Sequence, residues 1–225
     1  MINAVQMRSI VIPLLWAAAC CAGAAPIDSL FVNAPQAVLP LLDRNARLNL
    51  LDFYHAGMAA RAENRLGGEA RLLELSDVHL VLSPVEGSRW ELVRVPWRGD
   101  SAVVCLHTLS LPAEDTRVRL FSEDWQPLPA LFPEFEDVAE FWAETDSLSA
   151  DRRRELRAQL VPLHVVWSWN PATPAQFVAS VSLASVYAPD AADLRPCLRS
   201  LAYRWTADGR LERLSVPMRG EEYLP

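Results

Sequence analysis

Between Glu69 and Phe121 the chain alternates in side-chain character, and this constrains the fold more than any other feature of it. Val78, Leu80 and Leu82 are interleaved with His79 and Val81, and Thr116, Val118 and Leu120 with Arg117 and Arg119. A period of two places successive side chains on opposite faces of a strand. Glu86-Gly87 and Arg98-Gly99-Asp100 supply tight turns, with Trp90, Leu92 and Val95 between them. Val103 to Leu109 is almost wholly apolar, as a strand buried on both faces should be. Successive strands joined by tight turns predict an antiparallel meander.

Helical spacing surrounds this region. Leu30 to Leu42 suits a short helical lead broken at Pro35 and Pro40. Asp43 or Asn45 caps a second helix running to about Gly57, with an apolar stripe of Leu50, Leu51, Phe53, Tyr54, Gly57 and Met58. After Pro127, a helix is expected from Pro133, with Phe135, Val138, Phe141 and Trp142 on its buried side, and another from Ala150 to Leu160 capped by Ser149. Strand character returns at Val161 to Trp169, at Phe177 to Leu183, and at Leu201 to Trp205 before Asp208-Gly209. Asp190 caps a short helix near Ala191 to Leu194. The expected class is α+β, with antiparallel sheets and helices packed on one face. Two arrangements fit: two similar helix-then-meander halves, over 25–128 and 129–225, or one continuous sheet.

The first 24 residues read differently. Arg8 precedes the apolar run Ile10 to Ala19, and Ala22-Gly23-Ala24 follows. This is the pattern of a secretory signal peptide cleaved after Ala24, which leaves residues 25–225 as an exported domain. The run is shorter than the roughly 20 residues of a spanning helix, so no transmembrane span is expected in the mature chain. The expected place is the periplasm or cell surface. A lipid anchor at Cys20 fits poorly, because Ala17 stands where a larger aliphatic residue is needed.

Chemistry is constrained mainly by exclusion. All 21 basic residues are arginine, which rules out lysine Schiff bases, lysine nucleophiles and a phosphate-loop lysine. The net charge is −7, and the one basic run, Arg152-Arg153-Arg154 with Arg157, is interleaved with Asp151 and Glu155 as on a solvated helix face, so nucleic acid is not an expected partner. No metal or cofactor is expected: His55, His79, His107 and His164 share no short ligand spacing. His79 and His164 are expected to point outward, and His107 to satisfy a core partner. Cys105 and Cys197 either form a disulfide or stay reduced and buried. Arg98-Gly99-Asp100 needs no receptor to explain it.

Tryptophans are the best functional lead. Trp167 and Trp169 share one strand face, where they either stack on a ligand or pack as core, and Trp97 and Trp125, beside prolines and turns, are expected to be partly exposed. The favoured function is a non-catalytic binding or assembly protein, engaging an envelope protein or glycan through a sheet face or a helix–sheet groove. The alternative is a hydrolase of envelope or dietary polymers, which requires Asp52, His55, Cys105, His107 and Glu134 to converge in a pocket.

The stretch Arg47 to Met58 (RLNLLDFYHAGM), with Asn64-Arg65-Leu66-Gly67-Gly68, Val104-Cys105, Glu123-Asp124-Trp125 and Ala202-Tyr203-Arg204-Trp205, resembles a Bacteroidales family of secreted proteins of unknown function. The likeness runs through the mature chain in order. It implies an exported α+β protein of a Gram-negative envelope and carries no assigned catalytic or binding residue. One departure is that members of the family often have cysteines near Leu111-Pro112-Ala113, where this chain has none.

Overall fold

The computed structural model describes residues 25–110, 112–129, 131–143, 148–170, 172, 176–214 and 218–219. The expected signal segment, Cys20 and the cleavage point after Ala24 lie outside the described residues.

Two helices open the fold, α1 (Ile27–Asn33) and α2 (Arg44–His55). Of the two candidate caps, Asp43 is used: its carboxylate accepts the Ala46 N–H at 2.8 Å. The buried side of α2 is Arg47, Leu50 and Leu51, with Tyr54 half-buried. Phe53 and Met58 are exposed, contrary to the expected stripe. Position 53 lies off the 47–50–51–54 face, and Met58 follows the end of the helix.

The meander forms as the alternation predicts. Strands β1 (Arg61–Glu63), β2 (Glu69–Leu75), β3 (His79–Val85), β4 (Ser88–Trp97), β5 (Asp100–Ser110) and β6 (Glu114–Ser122) make one six-stranded antiparallel sheet in sequence order. At the β4–β5 hairpin Arg98 and Gly99 have φ of 50° and 88°, the positive pair that suits the twist of a two-residue turn. Residues Ala102 to Leu106 are buried on both faces, but the expected run to Leu109 stops short: His107 is half-buried and Leu109 is exposed.

Each face of this sheet has its own core. On one, α1, α2 and the 38–42 segment cover Leu80, Leu82, Trp90, Leu92, Cys105 and Phe121. On the other, Val93, Val104, Leu106 and Leu120 meet a second antiparallel sheet. Its strands are β7 (Val165–Trp169), β8 (Gln176–Val181), β9 (Arg199–Trp205) and β10 (Leu211–Arg213), in the order β10-β9-β8-β7, with β11 (Met218–Arg219) also paired to β9. Helices α3 (Ala150–Ala158) and α4 (Ala188–Leu194) flank it. The second core therefore crosses from 25–128 into 129–225. The edge of β7 is closed by side chains of β6: the Val165 N–H donates to Asp115 Oδ1 and the Trp167 N–H to Thr116 Oγ1, each at 3.1 Å.

Several expected boundaries move. The helix from Pro133 is a single 3-10 turn, Val138–Phe141, because Asp137 takes the Ala139 N–H and Trp142 turns extended to bridge Leu198. Strand β7 begins at Val165, and Val161 is exposed, since Pro162 has no N–H for a ladder. Asp190 caps nothing. It lies inside α4 and accepts from Arg152 at 2.6 Å and Gln159 at 2.7 Å, tying α3 to α4.

Candidate functional site

A cleft of about 160 Å³ opens where the 39–42 segment, between α1 and α2, crosses the β3–β5 end of the large sheet. Sequence places its walls there. Pro35 and Pro40 keep the linker from continuing α1, and Asp43 restarts the helix, so Leu39 and Leu42 are pressed onto the sheet. Leu82, Pro84 and Trp90 form the floor, and Leu109, about half exposed, stands at the mouth.

One polar pair interrupts this apolar lining. Ser88 Oγ lies 3.1 Å from His107 Nε2. The His107 ring stacks on Trp90 with centroids 4.2 Å apart, its directly opposed partner in the β4–β5 ladder. Burial, then Arg119, then Arg117, hold the His107 pKa below the ordinary histidine value. The imidazole is therefore neutral at pH 7, and it is a weaker base than an ordinary histidine. A hydrolytic dyad needs the opposite influence, an anion that orients the ring and stabilises its protonated form.

The expected site residues are dispersed. Of Asp52, His55, Cys105, His107 and Glu134, only His107 lines the cleft. His55 pairs with Asp28 at 2.8 Å on the surface, and Asp52 and Glu134 are exposed. Cys105 is fully buried, and burial pushes its thiol up to about 12, so it is no thiolate nucleophile. Of the two alternatives for Cys105 and Cys197, the structure has the reduced, buried one. Cys105 belongs to the helix-side core and Cys197 to the inter-sheet core, where its Sγ donates to the Asp193 carbonyl.

The indoles are core. Trp167 and Trp169 are buried between the sheets, because alternate positions of β7 face that core. Trp125, expected to be partly exposed, is only 6% exposed and packs on Phe121. Trp97 is half-buried, with Arg98 over its ring and Gly209 against its edge. Among the described residues no group of three or more His, Cys, Asp or Glu side chains is placed to hold a metal ion.

His79 overturns its expected outward orientation. It is buried between the sheets, 3.2 Å from Glu91 and with its ring centroid 4.4 Å from that of Trp169 at a 48° tilt, while Arg89 holds the other Glu91 oxygen at 2.9 Å. The pair is buried, a structural clamp of the inter-sheet core. Its signal in the sequence was that His79 and Glu91 share the strand phase of Val81 and Val93.

A family described as "Protein of unknown function (DUF3256)" matches residues 19–209. Among solved structures, a domain of an uncharacterised protein from Porphyromonas gingivalis W83 superposes with a TM-score of 0.70 at 19% identity, over 86% of this chain and 100% of that one. No curated protein matches.

Proposed function

The chain belongs to this DUF3256 family of proteins of unknown function, and we propose that it is an exported, non-catalytic binding protein of the bacterial envelope whose ligand places an apolar group in the cleft between the 39–42 segment and the sheet. The export reading rests on Arg8, the apolar Ile10 to Ala19 run and Ala22-Gly23-Ala24. The binding reading rests on one observation: an apolar recess, open at Leu109, with a single polar pair inside. A concave apolar site with few convergent polar groups is the usual form of a small-ligand site. Its volume suits one six-carbon unit, since an apolar cavity of about 150 Å³ accepts benzene.

The test is a titration with hexanol followed by protein NMR, comparing the parent with Leu109→Trp, a substitution at the half-exposed mouth. Shifts should concentrate at Leu82, Trp90 and His107 and be lost in the variant. Shifts spread over the surface, or unchanged in Leu109→Trp, contradict the site. The hydrolase reading is tested separately with a fluorophosphonate probe, which the binding reading expects to leave Ser88 unmodified. A covalent adduct on Ser88 would reverse the assignment.

A further inference from the structure

Resting on the cleft as the binding site, we infer that its ligand is a small carboxylate, with an apolar body of about six carbons in the recess and its anionic head at His107, Arg117 and Arg119. Three observations on the β5–β6 side of the cleft carry this. Arg117 is the direct cross-strand partner of His107, which puts an exposed guanidinium beside the one titratable group in the lining. Arg119, one step along the same face, lies with its guanidinium carbon 5.4 Å from the Trp90 ring centroid and 5.3 Å from that of Phe121. Its Nε is buried and meets no acceptor among the described residues, while the rest of the guanidinium is within hydrogen-bonding reach of the thiol of Cys105, its cross-strand partner. A buried N–H of a guanidinium is costly to leave unsatisfied, and a carboxylate is the acceptor whose geometry matches the fork.

The acids near this rim do not neutralise it. Asp115, opposite Leu109 at the mouth, is turned away to accept from the Val165 N–H. Glu114 lies 3.5 Å from Ser110 at the strand end, and Glu86 is exposed at the hairpin tip before Ser88. On the helix side, Asp43 is committed to capping α2. The lining itself holds a neutral imidazole whose Nε2 is paired with Ser88, and the two arginines stand behind it, Arg117 across the strand from His107 and Arg119 against the Trp90 ring. A neutral alcohol gains the apolar burial alone, whereas a carboxylate of the same body adds the attraction of both cations.

The experiment is calorimetric or NMR titration of the full mature chain with hexanoate, hexanol and hexylamine at pH 7.5 in low salt. Hexanoate should bind at least about tenfold more tightly than hexanol, and hexylamine should bind weakest. Raising the salt should shrink the preference, because Arg117 is exposed. Arg117→Gln, an exposed substitution that leaves the ladder intact, should reduce hexanoate affinity several-fold and leave hexanol unchanged. Arg119→Lys provides a second variant, in which the charge is kept and the fork lost. Equal binding of hexanoate and hexanol overturns the anionic-head inference and leaves the apolar cleft standing. Failure of all three probes to bind overturns both.

Discussion

Replacing Arg47 with methionine isolates the contact that holds α1, and with it one wall of the cleft. Arg47 is almost fully buried on α2. Its guanidinium donates to the carbonyls of Phe31 (3.0 Å), Val32 (3.2 Å) and Ala34, at the end of α1, and to that of Asp43. Those carbonyls, at the end of α1, have no further helical turn to donate N–H groups to them, so Arg47 serves as their cap. Burial lowers the guanidinium pKa, an effect opposed by Asp43 and added to by Arg44, and the group remains charged throughout the accessible range. Methionine keeps the stem and removes the donors. Nη1 shares its two N–H groups among three carbonyls and Nε gives one, so at about 1–1.5 kcal/mol net per charge-assisted donor, after the cost of burying the cation, Arg47→Met should lose about 3–4.5 kcal/mol. For a chain of this size that lowers Tm by about 6–18 °C. Urea unfolding followed by tryptophan fluorescence measures it, with Arg47→Lys recovering part of the loss by reaching one carbonyl. Leu39 and Leu42 hang between α1 and α2, so hexanol binding should weaken in parallel. A loss below about 1 kcal/mol would show that the fork does not hold the helices.

Three further outcomes follow from the same geometry. Burial acts to raise the Glu91 carboxyl, but the hydrogen bonds and charges of His79 and Arg89 outweigh it and hold the group below the usual carboxylate range. A depressed folded value means that stability is present at neutral pH and is lost as pH falls through that value. Glu91→Gln should therefore cost about 2–3 kcal/mol at pH 7 and flatten the acid limb of a stability–pH profile, and an unchanged limb would count against the clamp. Gly209 has φ 79°, and a Cβ there would stand 2.6 Å from Trp97 Cε3, so Gly209→Ala should cost about 2–3 kcal/mol in the same urea assay. Cys105, with its thiol near 12 and fully buried, should resist iodoacetamide at pH 8 in the native protein and react once urea unfolds it; rapid native alkylation would contradict its placement in the core.

The meander was legible because its determinants are local: alternation, positive-φ turns and apolar runs sit within a few residues of each other. Asp43 and Ser149 were found as caps for the same reason. The expected helix at Pro133 failed because composition favours a helix start there, while Asp137 and the Trp142–Leu198 bridge decide otherwise. Distant bridges leave no local mark. The tryptophans were ambiguous because a strand shows which side chains share a face but not what covers that face; here a second sheet does. The cleft was least legible, since its wall and floor lie about 40 to 50 residues apart along the chain. One part of it could have been read. A two-residue turn at Arg98-Gly99, counted outward in step, sets Trp90 opposite His107, and that pair is the centre of the site. His79 was misplaced because β3 is buried on both faces, so the outward phase does not exist there.

The most direct measurement is a crystal of residues 25–225 pressurised with xenon, which enters dry apolar cavities. The account predicts xenon density bounded by Leu42, Leu82, Trp90 and Leu109, displaced when hexanoate is soaked in and absent in Leu109→Trp. Ordered water filling that space, or the 39–42 segment closed down onto Trp90 with no density between, would contradict it.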